Sequence, residues 1–248
     1  MENNVKLPRS PALALARKEL YSLVISPAFY GIVIFFLLFT SLWLFNFQNF
    51  FARNMAALRP YFSGFPLVFV LVIPGITMKS WAEERKTGSI ELLLTMPFSE
   101  WDLVLGKFLS CLGVICCLLI LSVPVPLSIV PLGVFDGGVI LCEYIGAFLL
   151  GAAAAAIGLF LSSLSKNQAA AFLGSAAVLL VIMLANQAPF SQNIPEPLAA
   201  VINFISLSFH FESFSRGILD SRDLLFFILT ALLFLFLNTR VLMFRKWS

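Results

Sequence analysis

The sequence predicts an all-α membrane protein of six transmembrane helices, with an N-terminal amphipathic helix at the membrane interface, a short cytoplasmic helix and a short outer re-entrant region. Three observations carry that prediction. Of the 248 residues, 60% are hydrophobic and 12% charged, against about 25% charged in soluble domains. Apolar runs long enough to cross a ~30 Å hydrocarbon core recur along the chain. Charge is gathered into one island, Lys79 to Lys107, where Lys79, Arg85, Lys86 and Lys107 stand among Glu83, Glu84, Glu91, Glu100 and Asp102. Each charge at the centre of a span costs roughly 2.5–3.5 kcal/mol on insertion scales, so the island reads as a water-facing element between two spans.

The first element follows from Ser10-Pro11, a cap and a favoured first helical residue. Leu13, Ala16, Leu20, Leu23 and Val24 recur at helical spacing opposite Arg17, Lys18 and Ser22, which predicts an amphipathic helix over about 11–25, suited to the membrane interface. A soluble helix packed on a partner is the plainer alternative. Ser26-Pro27 ends it. The apolar run that follows is too long for a signal-peptide core, so it is expected to remain in the mature protein.

Spans are expected at about 29–47, 61–78, 103–123, 140–161, 169–185 and 224–244, within a single domain covering 1–248. Pro66 and Pro74 should kink the second. Ser99-Glu100-Trp101-Asp102 has the form of a capping box and opens the third. The fourth is rich in Gly and Ala, which lets another helix approach closely and predicts a place inside the bundle. Glu143 near its start and Asp136 before it read as groups simply wetted at the interface, with the lining of an external vestibule as the alternative. Between the fifth and sixth spans, Leu198 to Leu207 is too short to cross and reads as a re-entrant or interfacial helix.

Basic residues set the orientation. Of the 16 Lys and Arg, only Arg53, Arg59, Arg216 and Arg222 fall on the side opposite the termini. The termini and the island are therefore expected in the cytoplasm, and the segment after the fifth span outside.

Several chemistries are excluded. A net charge of +3, with basic residues scattered over loops, argues against nucleic acid. The chain has no GxxxxGK[ST], HExxH or GxSxG, and its one histidine, His210, has no partner set for catalysis in the sequence. Cys111, Cys116, Cys117 and Cys142 lie in or beside apolar runs without CxxC spacing and read as packing residues. No catalytic residue, metal site or bound cofactor is expected on this chain. His210 reads either as an interfacial histidine bonded to a neighbour or as a pH-sensitive group.

Within the island, Thr87-Gly88-Ser89-Ile90-Glu91 reads as a turn followed by a helix start, with Thr87 or Ser89 as cap and Glu91 in the first turn. Leu92, Leu93 and Leu94 follow, and Pro97 stops the run. Three leucines on so short a helix call for cover, either the bilayer or a groove on another protein.

The run WAEERKTGSIELLLTMPFSEWDLVLGKF, Trp81 to Phe108, closely resembles the signature of ABC-2 type transporter permeases. HFESFSRGILDSRDLLFF, His210 to Phe227, and RKELYSLVISPAFY, Arg17 to Tyr30, resemble the branch that includes gliding-motility permeases. The resemblance implies a bacterial inner-membrane permease subunit that pairs with a second permease subunit and with a separate cytoplasmic ABC ATPase, where ATP and Mg are bound. It implies a coupling element at about 83–97, with Glu84, Arg85, Thr87, Gly88, Glu91, Leu92 and Leu93 as ATPase-coupling residues. It also implies an outer region with His210, Glu212, Arg216 and Asp220 as candidates. Membrane lipid and a periplasmic accessory protein complete the expected partners. The competing reading is a force-transmitting scaffold without a transported solute, for which larger outer domains would be expected.

Overall fold

Proline opens many of the helices. Pro11, Pro27, Pro60, Pro66 and Pro124 stand at the first or second helical position, where an absent N–H removes no internal bond. The structure, a computed structural model, describes residues 11–49, 58–89, 91, 99–132, 135–185 and 196–246, and no strand occurs among them. Its helices are α1 (Pro11–Ile25), α2 (Pro27–Leu42, continued by a π-helical turn Trp43–Phe47), α3 (Arg59–Phe62), α4 (Phe65–Thr87), α5 (Glu100–Ser122), α6 (Pro124–Ile129), α7 (Gly137–Leu164), α8 (Gln168–Leu184), α9 (Glu196–Ile205), α10 (Leu207–Ser215) and α11 (Ser221–Lys246).

Five stretches are long and apolar enough to cross a membrane: Pro27–Phe47, Arg59–Thr87, Glu100–Ile129, Gly137–Leu164 and Ser221–Phe244. The shorter α8, also apolar, supplies the sixth. Contacts between helix ends show the alternation. Trp101, at the start of α5, lies against Phe236 late in α11, while Phe62, before α4, packs on Tyr144 early in α7. The two ends of the bundle are called below the island end and the far end.

The glycine- and alanine-rich α7 is central, packed against α4, α5, α8, α10 and α11. A Cβ at Gly146 would meet Phe214 at 2.6 Å, and one at Gly158 would meet Thr77 at 2.5 Å, so these crossings need glycine. Helix α1 runs beside α5: Ala12 and Leu15 lie on Gly106, and Leu20 on Gly113, one ascending register over about two turns. Its Leu13, Tyr21 and Ile25 face outward. At the far half Phe36, Tyr61, Phe62, Phe65 and Phe69 form a fully buried aromatic block. Buried hydroxyls bond back to their own helices, as Thr40 to the Phe36 carbonyl and Thr77 to that of Ile73, so few demand a partner across the bundle.

Three expectations change. Pro66 begins α4 instead of bending a span, and the helix continues through Pro74. The helix of the expected second span does not stop near Met78 but carries on to Thr87. Leu198 to Leu207 is not one helix: Ser206 adopts an extended backbone and receives the Phe209 N–H, which ends α9 and starts α10. The capping box is present as read, with Ser99 Oγ accepting from the Asp102 N–H and the Asp102 carboxylate accepting from the Ser99 N–H.

Candidate functional site

The island begins as the last turns of α4, from Lys79 to Thr87. Gly88 then takes φ +72°, a left-handed conformation that costs glycine little, and its N–H bonds to the Arg85 carbonyl. Thr87 therefore closes a helix and does not cap the start of one, a correction that follows from this glycine. Its hydroxyl bonds back to the Glu83 carbonyl at 3.0 Å and meets Ser89 Oγ at 2.9 Å. Thr87, Gly88 and Glu91 are exposed. Ser89 and Glu91 are helical, as expected of a helix that starts there, whereas Leu92 and Leu93 lie outside the described residues.

Glu84 and Arg85 turn inward. Lys107, one of the island's charges, is only 1% exposed. Its ammonium group donates to Glu84 Oε1 at 2.6 Å, to the Ser80 carbonyl at 2.7 Å and to Glu19 Oε1 at 3.4 Å, which uses all three donors. The Trp81 ring lies beneath it, 4.7 Å from ring centroid to nitrogen. Glu84 is itself mostly enclosed, with its side chain 16% exposed. The island is thus not wholly water-facing: opposite charges neutralise each other where α1, α4 and α5 meet. Composition could not reveal this, because Glu19 and Lys107 are 88 residues apart.

Arg85 reaches across to the end of α7. Its guanidinium donates to the carbonyls of Ser163, Leu164 and Ser165 at 3.3, 3.0 and 2.6 Å. The last carbonyls of a helix lack internal partners and carry partial negative charge, so an arginine there satisfies both demands. Ser162 Oγ adds a hydrogen bond from the Trp81 N–H at 3.3 Å. The end of α4 is consequently tied to α1, α5 and α7 at once.

At the far end the four outer candidates divide. His210 is buried, with Nδ1 2.6 Å from Asp223 Oδ1, Nε2 3.0 Å from the Phe204 carbonyl and its ring stacked on Phe226 at 3.8 Å. That is the histidine bonded to neighbours. Asp220 receives the Arg222 N–H at 2.9 Å and leads into α11. Both residues border a cleft of about 670 Å³ between α10 and α11. Glu212 instead faces a second cleft of about 430 Å³, between α2, α4, α8 and α10. It holds Arg59 at 3.2 Å and Arg216 at 3.0 Å.

Glu143 departs most from expectation. It is 0% exposed, and neither carboxyl oxygen has a hydrogen-bond partner among the described residues. The reading of it as wetted fails because the small residues of α7 draw that helix, including this turn, into the centre of the bundle. Asp136 does sit at the edge, where it caps α7 by accepting the Gly138 N–H at 2.8 Å.

Among the described residues the architecture is an all-helical bundle with several helices of membrane-crossing length, that of a multi-pass membrane domain. Residues 13–207 match the model of the ABC-2 family transporter proteins, well over half of the chain. The chain belongs to that family and is a membrane-spanning permease subunit of an ABC transporter. No curated protein matches it in a sequence comparison.

Proposed function

We propose that this permease subunit works as an exporter in a bacterial inner membrane, as one half of a permease dimer driven by a separate cytoplasmic ABC ATPase that carries ATP and Mg. The observation that supports the reading most is the unbroken course of α4 from the bundle into the island. Motion applied to the segment 83–97 passes into a helix already fastened by Glu84 to Lys107 and by Arg85 to α7. On this reading the exposed Thr87, Gly88 and Glu91, with Leu92 and Leu93, meet the ATPase, and the inward Glu84 and Arg85 pass the displacement on. Closure of the ATPases then shifts the balance between inward- and outward-open arrangements.

The spans carry few buried charges, which favours an amphipathic, lipidic or polypeptide cargo over a small ion. A link to gliding motility rests on the resemblance of Arg17 to Tyr30 and His210 to Phe227 alone. The test is affinity purification of the tagged chain from its native membrane in mild detergent, followed by mass spectrometry. A co-purifying P-loop ATPase is expected, and its absence from a folded sample would move the weight to a scaffold. Cysteine labelling gives the orientation: Thr87→Cys should react from the cytoplasm and Arg216→Cys from outside.

A further inference from the structure

The cleft of about 670 Å³ beside α10 and α11 changes character along its length. Leu225, Leu229 and Leu233, one turn apart on α11, line it and are each more than half exposed. Phe204 of α9 and Phe209 of α10 line it too and are also exposed. The cleft therefore opens sideways, and around a span of this kind the surroundings are acyl chains. From Arg222 to Leu233 the helix rises about 16 Å at 1.5 Å per residue. That is half of a ~30 Å hydrocarbon core, the depth of one leaflet.

The polar end of the cleft keeps two charges unmatched. His210 and Asp223, both buried, are committed to each other at 2.6 Å, and the second ring nitrogen lies 3.0 Å from the Phe204 carbonyl. These bonds brace α9, α10 and α11 together and hold the cleft in shape. Arg222 and Asp220 remain. The Arg222 side chain is exposed and has no partner among the described residues; only its backbone N–H is engaged, by Asp220 Oδ1. Asp220 forms no ion pair among the described residues, so its second oxygen is open to a donor.

A guanidinium and a carboxylate at the head of an apolar slot one leaflet deep match a zwitterion with a hydrocarbon tail. The forked donors of arginine fit the oxygens of a phosphate diester, and a carboxylate fits a primary ammonium. A phospholipid with a glycerol headgroup brings no cation to Asp220. We propose that this cleft binds an aminophospholipid of the leaflet at the far end, with its phosphate on Arg222, its ammonium on Asp220 and an acyl chain along Leu225, Leu229 and Leu233. The lipid is a resident partner and not the cargo. The inference rests on the membrane-spanning class of the chain and not on the export reading, so either can fail without the other.

The test is native mass spectrometry of the purified full chain in detergent, with palmitoyl-oleoyl phosphatidylethanolamine and the matching phosphatidylglycerol added in turn at one concentration. Wild type should retain the ethanolamine lipid about fivefold better, the upper range for one exposed charge pair. Asp220→Asn, which keeps an oxygen for the Arg222 N–H, should erase that preference by weakening the ethanolamine lipid alone. Arg222→Gln should weaken both lipids, by about fivefold on the same basis. Leu229→Trp, inside the cleft, should lower retention of both, whereas Leu232→Trp, similarly exposed on α11 but outside the cleft, should not. Equal retention of the two lipids by wild type, an unchanged preference in Asp220→Asn or no loss in Arg222→Gln overturns the proposal. Equal losses in the two tryptophan variants overturn it as well, in favour of ordinary lipid solvation of the bundle.

Discussion

Lys107 and Glu143 are both buried ionisable residues, near opposite ends of the bundle, and they are treated in opposite ways. Lys107 has every donor occupied, by two carboxylates and a carbonyl, with an aromatic face beneath it. Glu143 has neither oxygen occupied among the described residues. A fully matched buried charge fixes one geometry, because any displacement leaves several groups unpaired at once. An unmatched one gains by change. On the proposed reading, the contrast sets a closely bonded island end, where the ATPase would push, against a far end with a buried group left without a partner among the described residues.

The largest effect should come from removing Lys107, whose own donors are all occupied although Glu84 Oε2 and the Trp81 Nε1–H beside it have no partner among the described residues. Lys107→Met leaves Glu84 enclosed without its cation and should destabilise the detergent-purified protein by about 3–5 kcal/mol. Adding Glu84→Met should restore most of that loss, as followed by thermal unfolding; a double variant as unstable as the single would break the comparison. Arg85→Gln comes next. Losing a charged donor to three carbonyls of α7 should cost about 1.5–3 kcal/mol by the same measurement. Glu143→Gln should leave the unfolding temperature unchanged or raise it, by at most about 1 kcal/mol in stability, because no partner is stranded. A large loss there would mean that Glu143 is matched after all. Smallest is Glu91→Lys, which should alter stability by less than about 0.5 kcal/mol, as usual for an exposed site, while lowering recovery of the ATPase.

The helical class, the long apolar helices and the central place of α7 were legible in the sequence, because hydropathy and small-residue density register burial directly. The capping box at Ser99 was legible for a similar reason, since its partners lie three residues apart. The end of α4 was less so. A charged run after a span looks like a loop, and only Gly88 marks where the helix stops. The inward turn of Glu84 and Arg85 could not be read, since it depends on Lys107 and on the carbonyls of Ser163, Leu164 and Ser165. Glu143 was misplaced because its nearness to a span end suggested water, whereas Gly146, packed on Phe214, holds that turn inside.

The most direct test of the account is to recover the ATPase with three forms of the tagged chain and to measure its ATP turnover in each complex. Wild type should bring down a P-loop ATPase, Glu91→Lys should lose it, and the Lys107→Met, Glu84→Met pair should retain it with turnover no longer responsive to cargo. Retention of the ATPase by Glu91→Lys, with turnover as in wild type, would contradict docking at the island. Cargo-responsive turnover in the paired variant would contradict transmission through the Lys107 cluster.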